Sequence, residues 1–230
     1  MYHMKTLAVA TMAAIAVLAC SDQPTAPTDE LDIDVIAMDD FGFTYGSGAG
    51  AGCATGPGTC FSAGTYANRS YLGTLVQEAY QKLLATQGAA VADAAFNNLW
   101  TLHQDAFALR STDHSAFVAA MQAAHLEAAR LVVEVLGAGT AATAIELAQV
   151  KLDALQKQIA DQATGVTTSR LAYLVSRVET FVADAQGKLA AGDAVGALDL
   201  ATRALQAATR GGAQNARQGT GGGTQYRGGR

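Results

Sequence analysis

From Tyr71 to about Arg210 apolar side chains recur at intervals of three and four residues almost without a break. That spacing gathers them on one face of an α-helix, whereas a half-buried strand would need strict alternation. Six stripes are readable. The first carries Leu72, Leu75, Val76, Ala79 and Leu83, and the second Val91, Ala95, Leu99, Leu102 and Leu109. The third, after Asp113, carries Phe117, Met121, Ala124, Ala128, Val132 and Val135. The fourth carries Ile145, Ala148, Leu152, Leu155 and Ile159, and the fifth Leu171, Leu174, Val178, Phe181, Val182 and Leu189. A shorter sixth carries Leu198, Ala201, Leu205 and Ala208. Alanine supplies much of the apolar content, so closely packed helices with few aromatic residues are expected rather than sheets. The expected fold is all-α: about six antiparallel helices arranged as three hairpins, in a bundle or a short solenoid.

The hairpins share a pattern. A shift of 53 residues brings Leu136-Gly137-Ala138-Gly139-Thr140 onto Leu189-Ala190-Ala191-Gly192-Asp193. The same shift pairs Ala144–Ala148 with Ala197–Ala201. A glycine ending one helix in a left-handed conformation, followed by a capping Thr140 or Asp193, explains the shared turn. A fainter upstream copy aligns Leu83, Asp93, Ala95 and Leu99, with Gly88 displaced and Gln87 where a cap should stand. The segment from Leu189 to Ala201 resembles a helix-turn-helix unit of the tetratricopeptide family over about 20 residues, which implies a peptide-binding groove. It departs from that family in its longer period, about 34 residues there, and in its aromatic positions.

Long flanking segments surround this helical region, residues 71–210. Residues 21–40 hold seven acidic residues and no basic one, with Pro24 and Pro27 near the start, as in an extended spacer. Residues 42–64 are glycine-rich but lack the Lys-Ser or Lys-Thr of a phosphate loop. Residues 211–230 form a second glycine-rich end with Arg217, Arg227 and Arg230. A flexible tether over 20–70 and a flexible tail over 211–230 are expected. A few Arg-Gly pairs in an acidic chain do not make a nucleic-acid binder, which needs a basic face.

The N-terminus reads as an address. Lys5, an apolar run from Leu7 to Ala19 and small residues before Cys20 make a secretory signal peptide over residues 1–19. That run is too short to span a bilayer, for which about 20 apolar residues are needed, and no later segment is expected to do so. Its ending resembles the lipobox of bacterial lipoproteins. The resemblance implies cleavage before Cys20, lipidation of Cys20 with palmitate among the acyl chains, and residence in the cell envelope. Ser21 after the cysteine implies the outer membrane. Removing this segment with its one charge, Lys5, leaves 14 basic against 20 acidic residues. In an oxidising compartment Cys53 and Cys60 are expected to close a disulfide loop.

Reactive side chains are scarce downstream. Ser111-Thr112-Asp113-His114-Ser115 contains the residue types of a serine triad, but neighbours on one turn cannot form the relay. A helix cap is the better reading. His103 falls in the apolar arc of the second helix and His125 beside that of the third, one turn after Met121. A hairpin turning near Thr112 would place His103 opposite Met121, within reach of His125. Two imidazoles and a thioether could hold copper or haem. The 53-residue shift instead maps His125 onto Leu72 and Val178, which are core positions, and core histidines are the expected outcome. Neither Glu-x-x-His nor HExxH is present. The expected protein is no enzyme and needs no cofactor. It is a lipid-anchored scaffold or binding protein for an envelope protein or polymer, with a metal or haem carrier as the alternative. Leu147, Leu200, Val150 and Tyr173 lie off the main stripes, either joining hairpins or forming an exposed apolar groove.

Overall fold

A computed structural model describes residues 56–61, 70–110, 112–161 and 166–220, with the side chains of 166–170 and 210–220 left aside. All fall within one compact unit, Asp32–Arg230. The fold is all-α: among the described residues there are seven helices and no strand. A short α1 (Pro57–Phe61) precedes six long helices: α2 (Tyr71–Gln87), α3 (Ala89–Leu109), α4 (His114–Leu136), α5 (Gly139–Asp161), α6 (Val166–Ala190) and α7 (Ala194–Thr220).

Helix boundaries follow local chemistry. Ser70 caps α2 by accepting from the Gly73 amide at 3.0 Å, and Asp113 caps α4 by accepting from Ala116 at 2.9 Å. The Asp113 cap is the role expected for the Ser111–Ser115 segment. Asp193 caps α7 through Gly196 at 2.8 Å and also meets the Lys188 ammonium at 3.1 Å. Caps of this kind contribute about 1 kcal/mol each. Thr140 does not do the same for α5. It lies inside that helix, and its hydroxyl donates back to the Gly137 carbonyl at 2.7 Å.

The breaks after α2 and α4 are alike. Gly88 and Gly137 hold φ of 87° and 103° with ψ near-extended at 168° and 160°, a region open in practice only to glycine. Each amide still donates four residues back, to Leu84 and Val133. The structural counterpart of Gly137 is therefore Gly88, not the Gly192 turn to which the 53-residue shift leads.

Packing divides the long helices into two trios. Helices α2, α3 and α4 contact one another, as do α5, α6 and α7. Helix α7 also touches α4 and α2, so it belongs to both. The α3–α4 hairpin turns where expected, and Asn98 bridges to Glu127 across it at 3.0 Å. Helices α4 and α5, although consecutive, meet over a smaller contact than α4 makes with α3 or α2. By composition and length α4 could cross a bilayer, contrary to the expectation for segments beyond residue 19. Its apolar faces are used instead on α2, α3, α5 and α7.

The first core joins α1 to α4 with the adjoining ends of α5, α6 and α7; the second joins Ala148, Leu152 and Leu155 of α5 to α6 and the later part of α7. The stripes of α5, α6 and α7 are buried as expected, with Ile159 and Leu189 half-buried. That of α3 is rotated by one position. Its core line is Ala92, Phe96, Leu99, His103 and Ala106, and Val91 stands outside, 44% exposed. Helix α7 is longer than expected and runs beyond residue 210.

Residues 57–61 fall within the stretch expected to be a loop, yet they form α1. Cys60 and Phe61 are fully buried against α2 and α3. Gly58 sits so close that a Cβ there would lie 3.0 Å from Asp93 Oδ1 and 3.3 Å from the Tyr80 hydroxyl. Below it the rings of Phe61, Tyr80 and Phe96 interlock.

Candidate functional site

The polar side chains buried deepest lie on α3, α4 and α7. His125 of α4 is 1% exposed and donates from Nδ1 to Asp199 Oδ1 of α7 at 2.5 Å. One turn along α7, Arg203 grips the same carboxylate, with Nε and Nη2 at 3.2 and 3.1 Å from Oδ1 and Nη2 at 3.0 Å from Oδ2. His103 of α3 is completely buried and lies close enough to His125 for the two imidazoles to influence each other electrostatically.

The electrostatics follow from burial. Desolvation, with His125 beside it, holds His103 well below the ordinary histidine value. Desolvation also lowers His125; the Asp199 carboxylate works against it, and Arg203 adds to it. Burial pushes the Asp199 carboxyl up, but the hydrogen bonds from His125 and Arg203 and the guanidinium charge outweigh that and hold it low. At neutral pH the cluster is a carboxylate held by one guanidinium and one neutral imidazole, with a second neutral imidazole beside it.

The structure thus brings His103 and His125 together, as the hairpin register predicted. Met121, 1% exposed, lies in the same core one turn before His125. Nδ1 of His125 is taken by Asp199, and among the described residues no group of three or more His, Cys, Asp or Glu is placed to hold a metal ion. His114, the first residue of α4, is exposed and packs beside the Phe117 ring with centroids 6.4 Å apart. Cys60 is buried on α1, while Cys20 and Cys53 lie outside the described residues.

Asp199 and Arg203 were missed by sequence reasoning. The signal was available: Asp199 stands inside Ala197-Leu198-Asp199-Leu200-Ala201, and Arg203 follows at helical i+4 spacing. A charge in the middle of an apolar stripe requires a partner. A second pair escaped notice for the same reason. The Tyr80 hydroxyl, almost fully buried, donates to Asp93 at 2.6 Å, and burial plus that carboxylate push it up to about 12.

The off-stripe residues divide. Leu200 is half-buried and packs against both cores. Leu147 and Val150, three residues apart on α5, face solvent at 39% and 63% exposure, and Tyr173 of α6 is also exposed. Compared with known proteins, the chain matches no protein-family model, no curated protein and no solved structure.

Proposed function

We propose that the chain is an exported protein of the bacterial cell envelope, anchored through a lipid on Cys20, that acts as a non-catalytic scaffold or binding protein. The anchor would be followed by the acidic tether and a loop closed by Cys53 and Cys60, which put the helical body at a distance from the membrane. One observation carries the binding role. His103 and His125 are sealed in the core at 0% and 1% exposure, while α5 turns Leu147 and Val150 outward on a single face. Apolar residues grouped on a helix surface suit a partner better than they suit water.

Two measurements test this. In cells, Cys20→Ser is expected to move the full chain from the membrane fraction to the soluble fraction; retention in the membrane would remove the anchor from the proposal. Photo-crosslinking residues placed at Leu147 and Val150 of the full chain should each give the same discrete adduct with an envelope protein or polymer. A diffuse smear at both positions, or no adduct, would overturn the binding role of this face.

A further inference from the structure

Helices α4 and α5 meet over a small contact, yet both pack on α7, so α7 floors the gap between them. Helical register at 3.6 residues per turn fixes what lines it. On α4, Leu126 is exposed and stands in line with Val133, two turns on, which packs partly against the first core. On α5, Leu147 and the exposed Lys151 share one flank, across the buried stripe from Gln156, which bonds to Glu179 of α6. On α7, Leu200 and Arg203 are half-buried beside Asp199. Arg203 gives Nε and Nη2 to that carboxylate, which leaves Nη1 to donate into the gap. The acids of these helices are turned elsewhere. Glu127 and Glu134 hold Arg130, and Glu146 and Asp153 lie almost half a turn round α5 from Lys151. The groove is therefore apolar, with two cations on it.

We propose that this groove receives the chain's own tether, with residues 32–36 lying extended between α4 and α5 and shielding Leu147 until a partner displaces them. This rests on the reading of Leu147 as part of a binding face and supplies the regulation of that face. The segment Asp32-Ile33-Asp34-Val35-Ile36 fits by its chemistry. Extended backbone puts Ile33 and Val35 on one edge and Asp32 and Asp34 on the other. The apolar edge meets Leu126, Leu147 and Leu200, and the acidic edge meets Lys151 at the rim. Arg203 Nη1 donates to a carbonyl of the extended backbone. Residues 21–40 contain no basic residue to compete with Lys151 for these carboxylates. Reach is ample. Between Ile36 and Gly56 lie 19 residues, which extend to about 65 Å, whereas the 23 residues of α5 cover about 35 Å. A linker of this length presents the segment at roughly millimolar effective concentration, so a weak contact is enough.

A photo-crosslinking residue at Leu147 of the purified full chain tests this with no partner present. Mass spectrometry is expected to find it joined to residues 32–36 of the same molecule, at a yield independent of protein concentration. Lys151→Glu, a change at an exposed position, should lower that yield by about threefold. Ile33→Ser combined with Val35→Ser should lower it by about tenfold or more. A link to another part of the chain, no link, or an equal yield in the double variant would overturn the docking. So would a link between two molecules that rises with concentration. The partner reading is tested separately: an adduct with an envelope component in cells, without the internal link in the purified chain, keeps the binding face and removes the tether from it.

Discussion

Replacing Asp199 with alanine is expected to lower the unfolding free energy by about 3–5 kcal/mol at pH 7.5, the range for breaking a buried ion pair from one side. The loss comes mainly from what stays behind. The Arg203 side chain is only 14% exposed and would keep its charge without a counter-ion, and His125 would lose the acceptor for its Nδ1 proton. Asp199→Asn should recover part of the loss, because its carbonyl can still accept from His125. Denaturant unfolding of the full chain gives the number, and a loss below about 1 kcal/mol would mean that water reaches the cluster. The pH dependence has a definite sign. Asp199 is held below its ordinary value, so its contribution is fully present above about pH 3.9 and is lost as the pH falls through its folded value. The histidines are lowered too, and for a base this means the unfolded chain binds more protons below about 6.5. Stability should therefore begin to fall at mildly acidic pH, and the difference between the parent and Asp199→Ala should shrink only at much lower pH.

The second large effect is expected at Phe96. Its ring centroid lies 5.3 Å from that of Phe61 and 5.3 Å from that of Tyr80, the latter at 86° in an edge-to-face contact. Phe96→Ala leaves a cavity beneath α1 and should cost about 3–5 kcal/mol. It should also loosen α1, since Phe61 would lose a ring partner. Tyr80 reports on this directly. Its hydroxyl, pushed up to about 12 by burial and by Asp93, should titrate nearer the ordinary 10 once water enters. Ultraviolet titration of tyrosinate, compared between parent and variant, distinguishes a local opening from a uniform loss of stability. An unchanged titration with a cost below 1 kcal/mol would mean that α1 is held by other contacts.

Legibility varied with how many sides of a helix are covered. Helices α5 and α6 each bury one broad face, so the residues recurring at three and four positions are those the structure buries. On α3 the periodic signal supports two adjacent phases, because Ala92, Ala94, Ala95 and Ala106 are nearly neutral markers. The phase that buries Phe96 and His103 prevails, since it delivers an aromatic ring to Tyr80 and Phe61, and Val91 is left outside. Helix α1 was illegible for a simpler reason. Five residues beginning Pro-Gly carry no periodicity, and only the pocket between α2 and α3 makes a helix of them.

By itself the amino-acid sequence determined the helix content, the caps at Asp113 and Asp193, the α3–α4 turn and the proximity of His103 to His125. These depend on spacing along the chain, on residues capable of capping and on helical register, all local properties. Which helices pair was decided only in the tertiary structure. Consecutive α4 and α5 carry turn and stripe residues like those of α6 and α7, yet α4 settles mainly on α3 and α2, and α7 joins both trios. Pairing depends on how whole surfaces of side chains fit, and alanine-rich stripes differ too little for a linear pattern to rank the possible fits. The same holds for the buried polar cluster: His125 and Asp199 are 74 positions apart, and burial between α4 and α7 alone makes them partners.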